Sequence, residues 1–288
     1  MSDLFQIERI GNQRSNIKWK KEQKDKIAEL YLNKTSIRRI SKMFGGLHYN
    51  TIKKVLQEYG IKLRTKSQSH FQDDRKEDFF SVIDSEEKAY WLGFFAADGC
   101  VHDKYFSIIL QKRDREHLEK LRNILNIITV QIRDYSQKSP TGKILDYSIF
   151  SVGCKQIVED LKKHGITERK SLILQPPKIP EEFAYDWIRG YFDGDGCLSY
   201  SKINNRWQCN CLSTKEVLLW IQEKLNLQNT KPFKVKRNGK EENVWTLHWN
   251  GRLNCLRTMN LIYKNDTAKI YLDRKYILYK ELFATLHQ

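Results

Sequence analysis

Two stretches of nine residues decide how this chain folds: GFFAADGCV at residues 93–101 and GYFDGDGCL at residues 190–198. Five of the nine positions are identical, and the copies lie 97 residues apart, about the length of one small domain. Internal repetition at this spacing indicates two similar structural units. We therefore predict two half-domains with pseudo-twofold symmetry, the first at residues 81–178 and the second at residues 179–288.

Each copy completes a helix that we expect to be buried. The first helix begins near Asp84, is apolar on all sides at residues 89–97, and ends at Gly99. The second follows Pro180 and ends at Gly196. Small residues on both helices let two backbones approach closely, so we predict that these helices pack against each other.

Packing of the two helices would bring their C-terminal acids, Asp98 and Asp195, side by side. Two neighbouring carboxylates repel each other unless a cation lies between them. A hard divalent ion with oxygen ligands, most simply Mg²⁺, meets this requirement. The repeat therefore predicts a metal site where the half-domains meet.

The two copies resemble the signature of the LAGLIDADG homing endonucleases, whose nine positions fall on residues 91–99 and 188–196. The resemblance covers about residues 80–285, and two motifs in one chain are similar to the monomeric branch of that family. It implies sequence-specific hydrolysis of one phosphodiester in each strand of a long asymmetric DNA site, by divalent metal ions, with 3′ overhangs. Two departures are Ala96, where the second copy has the acid Asp193, and Arg189 in an otherwise apolar helix.

The resemblance implies roles for particular residues. The catalytic acids of the family match Asp98 and Asp195, and about two or three Mg²⁺ ions at the half-domain interface would bind these acids and the backbone carbonyls of Ala97 and Gly194.

Further candidates lie later in each half. A lysine that organises solvent in the family is assigned to Lys170 in the first half and Lys264 in the second. Gln111 and Ser213, where a strand gives way to a helix, are candidates for positioning water.

The charge of the chain favours a polyanionic partner. Lys and Arg number 51 against 35 Asp and Glu, a net charge of +16, and residues 1–70 alone hold 16 basic and 6 acidic residues. No window approaches about 18 consecutive apolar residues, and the six cysteines form no C-x-x-C pair. We expect a cytoplasmic protein with no membrane association, located at the nucleoid when bound to DNA.

Residues 1–65 predict a small all-α domain, and the polar residues 66–80 predict a linker. Residues 36–59 resemble the helix-turn-helix of recombinase-like DNA-binding domains, in which the last helix enters the major groove. The predicted DNA contacts are basic or polar residues of this segment and of the chain just after it: Arg38, Arg39, Lys42, Tyr49, Asn50, Lys53, Lys54 and Arg64.

Short runs with a period of two lie between and after the motifs and predict antiparallel, saddle-shaped sheets in an α+β fold. Cys209 and Cys211 would point towards the core. Polar side chains on the opposite faces are suited to base edges and phosphates. The resulting predicted DNA contacts are Gln131, Arg133, Arg206, Gln208, Asn210, Lys234 and Lys236.

Two other functions remain open on the same scaffold. One is a non-catalytic transcription regulator that binds DNA, and the other is a maturase that binds intron RNA. The presence of an acid in both copies favours the nuclease. Double-stranded DNA is therefore the expected partner, intron RNA is the partner under the maturase hypothesis, and the expected state is a monomer.

Overall fold

The computed structural model of the chain describes residues 5–7, 17–33, 35–64, 74–237 and 240–285. The chain divides into two compact units, Met1–Asp74 and Arg75–Gln288. No helix in the described ranges is long and apolar enough to cross a lipid bilayer.

The first unit contains three helices, α1 (Lys21–Leu32), α2 (Ile37–Met43) and α3 (Tyr49–Glu58). Ser36 begins α2 by accepting a hydrogen bond from the Arg39 amide, and the positive φ angles of Gly45 and Gly46 turn the chain between α2 and α3. The apolar sides of the helices enclose a small core: Ile27, Tyr31, Ile40, Phe44, Leu47, Ile52, Val55 and Leu56.

The linker predicted at residues 66–80 lies only partly within the described residues. Residues 65–73 lie outside the described residues, but residues 75–80 pack within the second unit, where Phe79 and Phe80 are buried and the Lys76 amide donates to the Leu125 carbonyl. The prediction that residues 75–80 belong to a linker is therefore wrong, because two aromatic side chains anchor them in the core.

The second unit contains two series of helices and strands. The first series is α4 (Glu86–Asp98), β1 (Gly99–Val101), β2 (Tyr105–Gln111), α5 (Arg115–Ile124), β3 (Arg133–Lys138), β4 (Ile144–Gly153) and α6 (Lys155–Lys163). The second is α7 (Ala184–Asp195), β5 (Gly196–Ser201), β6 (Arg206–Ser213), α8 (Lys215–Lys224), β7 (Phe233–Arg237), β8 (Lys240–Asn250), α9 (Arg252–Ile262) and α10 (Asp273–Ala284).

Each series builds one four-stranded antiparallel sheet with the same strand order, β1-β2-β4-β3 in the first and β5-β6-β8-β7 in the second. The registers also correspond, since Gly99 lies opposite Ile108 and Gly196 lies opposite Cys211. The predicted α+β class and the two antiparallel sheets are confirmed. Cys209 and Cys211 are buried, as expected from the alternation in β6.

The helices α4 and α7 pack against each other through glycine. A Cβ atom built on Gly93 would lie 2.0 Å from the Trp187 carbonyl oxygen, and one built on Gly190 would lie 1.9 Å from the Tyr90 carbonyl oxygen. Any larger residue at either position would push the two backbones apart. Ser85, one residue after the predicted start at Asp84, caps α4 by accepting from the Lys88 amide.

We predict that Gly190→Ala lowers the free energy of unfolding of the second unit by about 3 kcal/mol, because the new methyl group meets main-chain atoms that cannot move aside. Denaturant titration of the full chain, followed by tryptophan fluorescence, measures this change. The matched control is Gly153→Ala, where a Cβ has no contact closer than 4.0 Å. Equal effects of the two substitutions would contradict the close helix contact.

Candidate active site

The ends of α4 and α7 bring two acids together. Each helix ends in an aspartate, Asp98 or Asp195, and each is followed by a glycine that starts a strand. A Cβ atom built on Gly194 would lie 2.3 Å from the Ala97 Cβ and 3.2 Å from Asp98 Oδ2. The carboxylate of Asp98 therefore lies against the residue that precedes Asp195, and both acids keep partial access to solvent.

The environment of the two carboxylates disfavours their charged forms. Burial raises the pKa of Asp98, and the neighbouring charge of Asp195 raises it further, to about 6, although Lys275 and Lys170 oppose the shift. Burial also raises the pKa of Asp195, against the effects of the same two lysines and of the Tyr191 hydroxyl. The two acids are thus held together at an electrostatic cost.

One lysine in each half binds the end of its own motif helix. The ammonium of Lys170 donates to the carbonyls of Ala97 (3.1 Å) and Gly99 (2.5 Å). The ammonium of Lys275 donates to the carbonyls of Gly194 (3.2 Å) and Gly196 (2.5 Å), and also to that of Phe192. These side chains are only 7% and 3% exposed.

Both lysines influence the acids without forming a bridge to them. Burial lowers the pKa of Lys170, and the charges of Asp195 and Asp98 raise it. Burial likewise lowers the pKa of Lys275, with Asp193 and Asp98 among the opposing charges. Within the described ranges, neither ammonium lies within 4.0 Å of the carboxylate of Asp98 or Asp195. The space between the helix ends is therefore lined by carboxylate and carbonyl oxygens, and the ammonium groups of Lys170 and Lys275 bind the carbonyls.

The assignment of Lys264 as the second lysine is wrong. Its ammonium lies 2.9 Å from Asp186 Oδ1 and 3.4 Å from Glu86 Oε2, at the N-terminal ends of α7 and α4, whereas the two acids lie at the C-terminal ends. Lys275 occupies the position that matches Lys170. In sequence, Lys264 follows Asp195 by 69 residues and Lys275 follows it by 80, whereas Lys170 follows Asp98 by 72, so spacing alone does not identify Lys275.

The same N-terminal ends explain Arg189, the unusual residue of the second motif. Its guanidinium is fully buried and donates to Asp186 Oδ1 (2.9 Å), Glu86 Oε1 (2.8 Å) and the carbonyls of Ile262 and Ile270. With Lys264, these residues form a network of two acids and two bases. The charges compensate each other, so the network can stay buried.

Asp193, the acid that the first motif lacks, faces away from the site. It is almost fully buried and accepts hydrogen bonds from the Tyr90 hydroxyl (2.8 Å), the Tyr263 hydroxyl (3.0 Å) and the Leu272 amide (2.7 Å). Burial raises its pKa, and these donors oppose the shift. Its carboxylate joins the two motif helices to the segment that leads into α10.

Gln111 and Ser213 do not occupy equivalent positions. Gln111 is exposed at the end of β2, whereas Ser213 is buried at the end of β6 and accepts a hydrogen bond from the Tyr191 hydroxyl (2.7 Å). When the two sheets are compared by their registers, Gln111 is equivalent to Thr214, and Ser213 is equivalent to Leu110. The strands β2 and β6 therefore end one position apart in the shared register, so their last residues are not equivalent.

The outward faces of the sheets carry most of the predicted strand contacts. Arg206, Gln208 and Asn210 alternate with buried residues of β6. Arg133 is exposed opposite Ile149, and Gln131 is exposed just before β3.

Lys234 and Lys236 lie on the other face of the second sheet. Lys234 is opposite Trp245, on the same face as the buried Ser213, and forms an ion pair with Glu241, which is itself opposite Lys236. The prediction for these two lysines is corrected because Phe233 is half exposed on the outward face and β7 has an irregularity between residues 234 and 236.

The first unit exposes most of its predicted contacts. Seven of the predicted contacts lie on α2 or α3. Lys53 is half buried, and the other six are exposed: Arg38, Arg39, Lys42, Tyr49, Asn50 and Lys54. Arg64 differs, because its guanidinium lies 4.2 Å over the Tyr31 ring and donates to the Thr35 carbonyl. Arg64 therefore serves the packing of its own unit.

Comparison with protein families identifies one segment of the chain. Residues 85–154, which include α4 and the whole first sheet, match the family model described as a LAGLIDADG-like domain. No curated protein sequence matches the chain.

Solved LAGLIDADG structures are also similar to the chain. The homing endonuclease I-GzeII in complex with its DNA target is 14% identical over 67% of this chain and 87% of that chain, with a TM-score of 0.46. I-WcaI bound to its DNA recognition sequence is 13% identical over 70% and 91%, with a TM-score of 0.46. The N-terminal LAGLIDADG domain of WhiA is 15% identical over 75% and 98%, with a TM-score of 0.41.

The oxygen ligands at the C-terminal ends of α4 and α7 fit a hard divalent ion. The convergent groups are the carboxylates of Asp98 and Asp195 and the carbonyls of Ala97 and Gly194, and oxygen is the ligand that Mg²⁺ prefers. In the described part of the chain, no group of three or more His, Cys, Asp or Glu side chains could hold a metal ion. The remaining ligands of such an ion would therefore come from water or from a bound substrate.

We predict that Glu86→Gln destabilises the protein at pH 7 by about 2 kcal/mol, through loss of a charged partner of Arg189. Burial raises the pKa of Glu86, but the Lys269 amide, Arg189 and Lys264 outweigh burial, so the pKa is lowered overall. The stabilisation is therefore complete above the unfolded pKa, near 4.5, and is lost as the pH falls through the lower folded value.

Denaturant titrations of wild type and variant from pH 7 to pH 3 check this expectation. The control is Glu87→Gln on the same helix turn, where the side chain is exposed and the expected change is below about 0.5 kcal/mol. A Glu86→Gln effect that stays constant with pH would contradict the role of its charge.

Proposed function

We propose that the chain is a site-specific DNA endonuclease that cuts both strands of a long asymmetric duplex with the help of divalent ions such as Mg²⁺, leaving 3′ overhangs. The observation that carries this proposal is the pair of partly exposed carboxylates at the joined ends of α4 and α7, each backed by a buried lysine from its own half. Such a pair supplies one reaction centre for each strand.

The residues that would hold the ions are Asp98, Asp195 and the carbonyls of Ala97 and Gly194. Each of these carbonyls accepts from a lysine but keeps a second lone pair for a ligand. A bound divalent ion would lower the pKa of a water molecule and neutralise charge on the scissile phosphate. The protein supplies the rigid placement of these oxygens, which rests on the glycine contact between the helices.

Lys170 and Lys275 would act on the phosphate by position and charge. Each ammonium is fixed by carbonyls at the end of its own motif helix and faces the acids of both halves. A preorganised cation in a partly buried site stabilises the extra negative charge that develops during phosphodiester hydrolysis. Lys264 has no part in this step, because it lies at the opposite end of the helix pair.

DNA would lie across the outward faces of the two sheets, with the first unit extending the contact. The sheet faces offer Arg133, Arg206, Gln208 and Asn210, and the first unit offers the exposed basic residues of α2 and α3 as a helix-turn-helix. The net charge of +16 favours such a polyanion.

We expect Asp98→Asn and Asp195→Asn each to slow double-strand cleavage at least about 10²-fold, because each removes a charged ligand of the metal. DNA affinity measured in Ca²⁺ should change only a few-fold, since no phosphate-binding cation is lost. The substrate is a plasmid library of randomised sites, and cleavage in Mg²⁺ is read by sequencing the cut ends.

The matched control is Asp103→Asn, an exposed acid in the loop after β1, which should cut as the wild type does. Wild-type protein that binds DNA specifically but cuts neither strand under any divalent ion would instead indicate the regulator. Preferential binding of intron RNA would indicate the maturase.

A second pair of variants distinguishes the role of Lys275 from that of Lys264. Lys275→Met should slow cleavage about 10²- to 10³-fold while DNA binding persists, because it removes the cation beside the acids. Lys264→Met should lower thermal stability, since it leaves Asp186 with less charge compensation, and should cut DNA at close to the wild-type rate when folded. The reverse pattern would restore Lys264 as the functional lysine.

A further inference from the structure

The matching registers of the two sheets allow a comparison of their outward faces position by position. Ser107 lies opposite Ser151 in the first sheet, and the equivalent pair in the second sheet is Asn210 opposite His248. In the next row, further from the candidate active site, Tyr105 lies opposite Gly153 in the first sheet. The equivalent pair in the second sheet is Gln208 opposite Asn250. We call these four positions in each half the reading block, which is Tyr105, Ser107, Ser151 and Gly153 in the first half and Gln208, Asn210, His248 and Asn250 in the second.

The reading block of the second sheet is rich in hydrogen-bonding groups. Gln208 and Asn210 are half buried, and His248 and Asn250 are exposed. Gln208 donates to the Ser199 hydroxyl (3.2 Å), which fixes its amide. Within the described residues, the side chains of Asn210, His248 and Asn250 make no hydrogen bond to the protein, so their donors and acceptors remain available to a ligand.

The reading block of the first sheet offers much less. Gly153 has no side chain, Ser107 is buried, and the Tyr105 ring stacks on His102 with a centroid distance of 4.4 Å. The next row of the first sheet holds Ile109, Ile149 and Arg133, and the row after it holds Gln111, Tyr147 and Tyr135. The second sheet exposes Leu212 and Phe233 in the row equivalent to Ile109. Ile109 lies opposite Ile149, and Tyr135 lies opposite Tyr147 with their rings stacked at 5.6 Å.

These two surfaces differ in how they can recognise base pairs. Asn and Gln side chains form paired hydrogen bonds with adenine in the major groove, whereas aliphatic and aromatic groups contact the methyl group of thymine. Each well-placed pair of hydrogen bonds discriminates between bases by about 5- to 150-fold. Arg206 and Arg133 lie on the outward faces as cations for the backbone of each half-site.

We propose that the two halves read DNA unequally: the second sheet recognises its half-site by hydrogen bonds to base edges, with adenine preferred at Gln208 and Asn210, and the first sheet recognises thymine methyl groups with less discrimination. This inference rests on the proposed function, and it adds where the specificity lies and which bases each half selects.

Selection of bound duplexes from a random library by the full-length protein, with Ca²⁺ in place of Mg²⁺, tests the proposal. We expect one half-site with strong preferences that include adenine and a second half-site with weaker preferences for thymine. Gln208→Ala combined with Asn210→Ala should reduce the strong preferences about 10-fold or more at the contacted positions. The equivalent pair, Tyr105→Ala with Ser107→Ala, should leave all preferences within about twofold.

A third variant tests the apolar surface. Ile109→Ser combined with Ile149→Ser should remove the thymine preference in the weaker half-site and leave the stronger half-site unchanged. Melting curves of all variants, compared with wild type, verify that the sheets remain folded.

Two outcomes would overturn the proposal while the endonuclease function stands. One is equal discrimination in both half-sites by the wild-type protein, and the other is specific binding that the Gln208 and Asn210 substitutions do not alter. Absence of any sequence preference in the wild type would count against the proposed function itself. Cleavage of library DNA in Mg²⁺ distinguishes these cases.

Discussion

The close packing of the two motif helices, Gly93 on the Trp187 backbone and Gly190 on the Tyr90 backbone, is the constraint on which the rest of the second unit depends. It places main-chain carbonyl oxygens where a Cβ atom would otherwise stand, so the helices approach as closely as their backbones permit. Their last turns must then meet, and with them Asp98 and Asp195. The cost is the burial of two carboxylates close to each other: burial first, and the charge of Asp195 second, raise the pKa of Asp98 to about 6.

The two ends of the helix pair handle charge in opposite ways. At the N-terminal ends, Arg189 and Lys264 lie in direct contact with Glu86 and Asp186, so opposite charges are paired. At the C-terminal ends, the lysines bind carbonyls and leave the carboxylates unbridged. Buried carboxylates that lack a direct ion pair lower the stability of the fold. The unpaired acids are therefore better explained by a ligand that completes the site.

Much of this arrangement could be predicted from the sequence, because it follows from local patterns. The repeat, the small residues and the terminal aspartates predict two buried helices that meet at their acids, and alternation predicts the sheets. The positions of residues whose spatial neighbours are distant in sequence could not be predicted in this way. Lys275 follows an extended segment and a helix start that have no counterpart in the first half, so its distance from Asp195 along the chain does not match that of Lys170 from Asp98. The face of Lys234 depends on an irregular edge strand, and the role of Arg189 depends on partners from three other segments.

The two halves have the same arrangement of helices and strands, but their motif helices contribute different residues to the contact between them. This difference in residues favours the pairing of unlike halves. The first motif helix contributes Glu86 and Tyr90, and the second contributes Arg189 and Asp193 as their partners. The positions equivalent to Arg189 and Asp193 in the first half are Leu92 and Ala96.

In a pair of two first halves, the buried Tyr90 hydroxyl would lose Asp193 and keep only the His117 ring nitrogen (3.0 Å) as a partner. In a pair of two second halves, Asp193 would lose one of its three hydrogen-bond donors. Each like pair lacks a buried hydrogen bond that the unlike pair makes, so both like pairs are disfavoured relative to the unlike pair. An unlike pair also frees the two DNA-facing surfaces from symmetry. The asymmetric chemistry of the reading blocks is thus compatible with one shared set of acids between them.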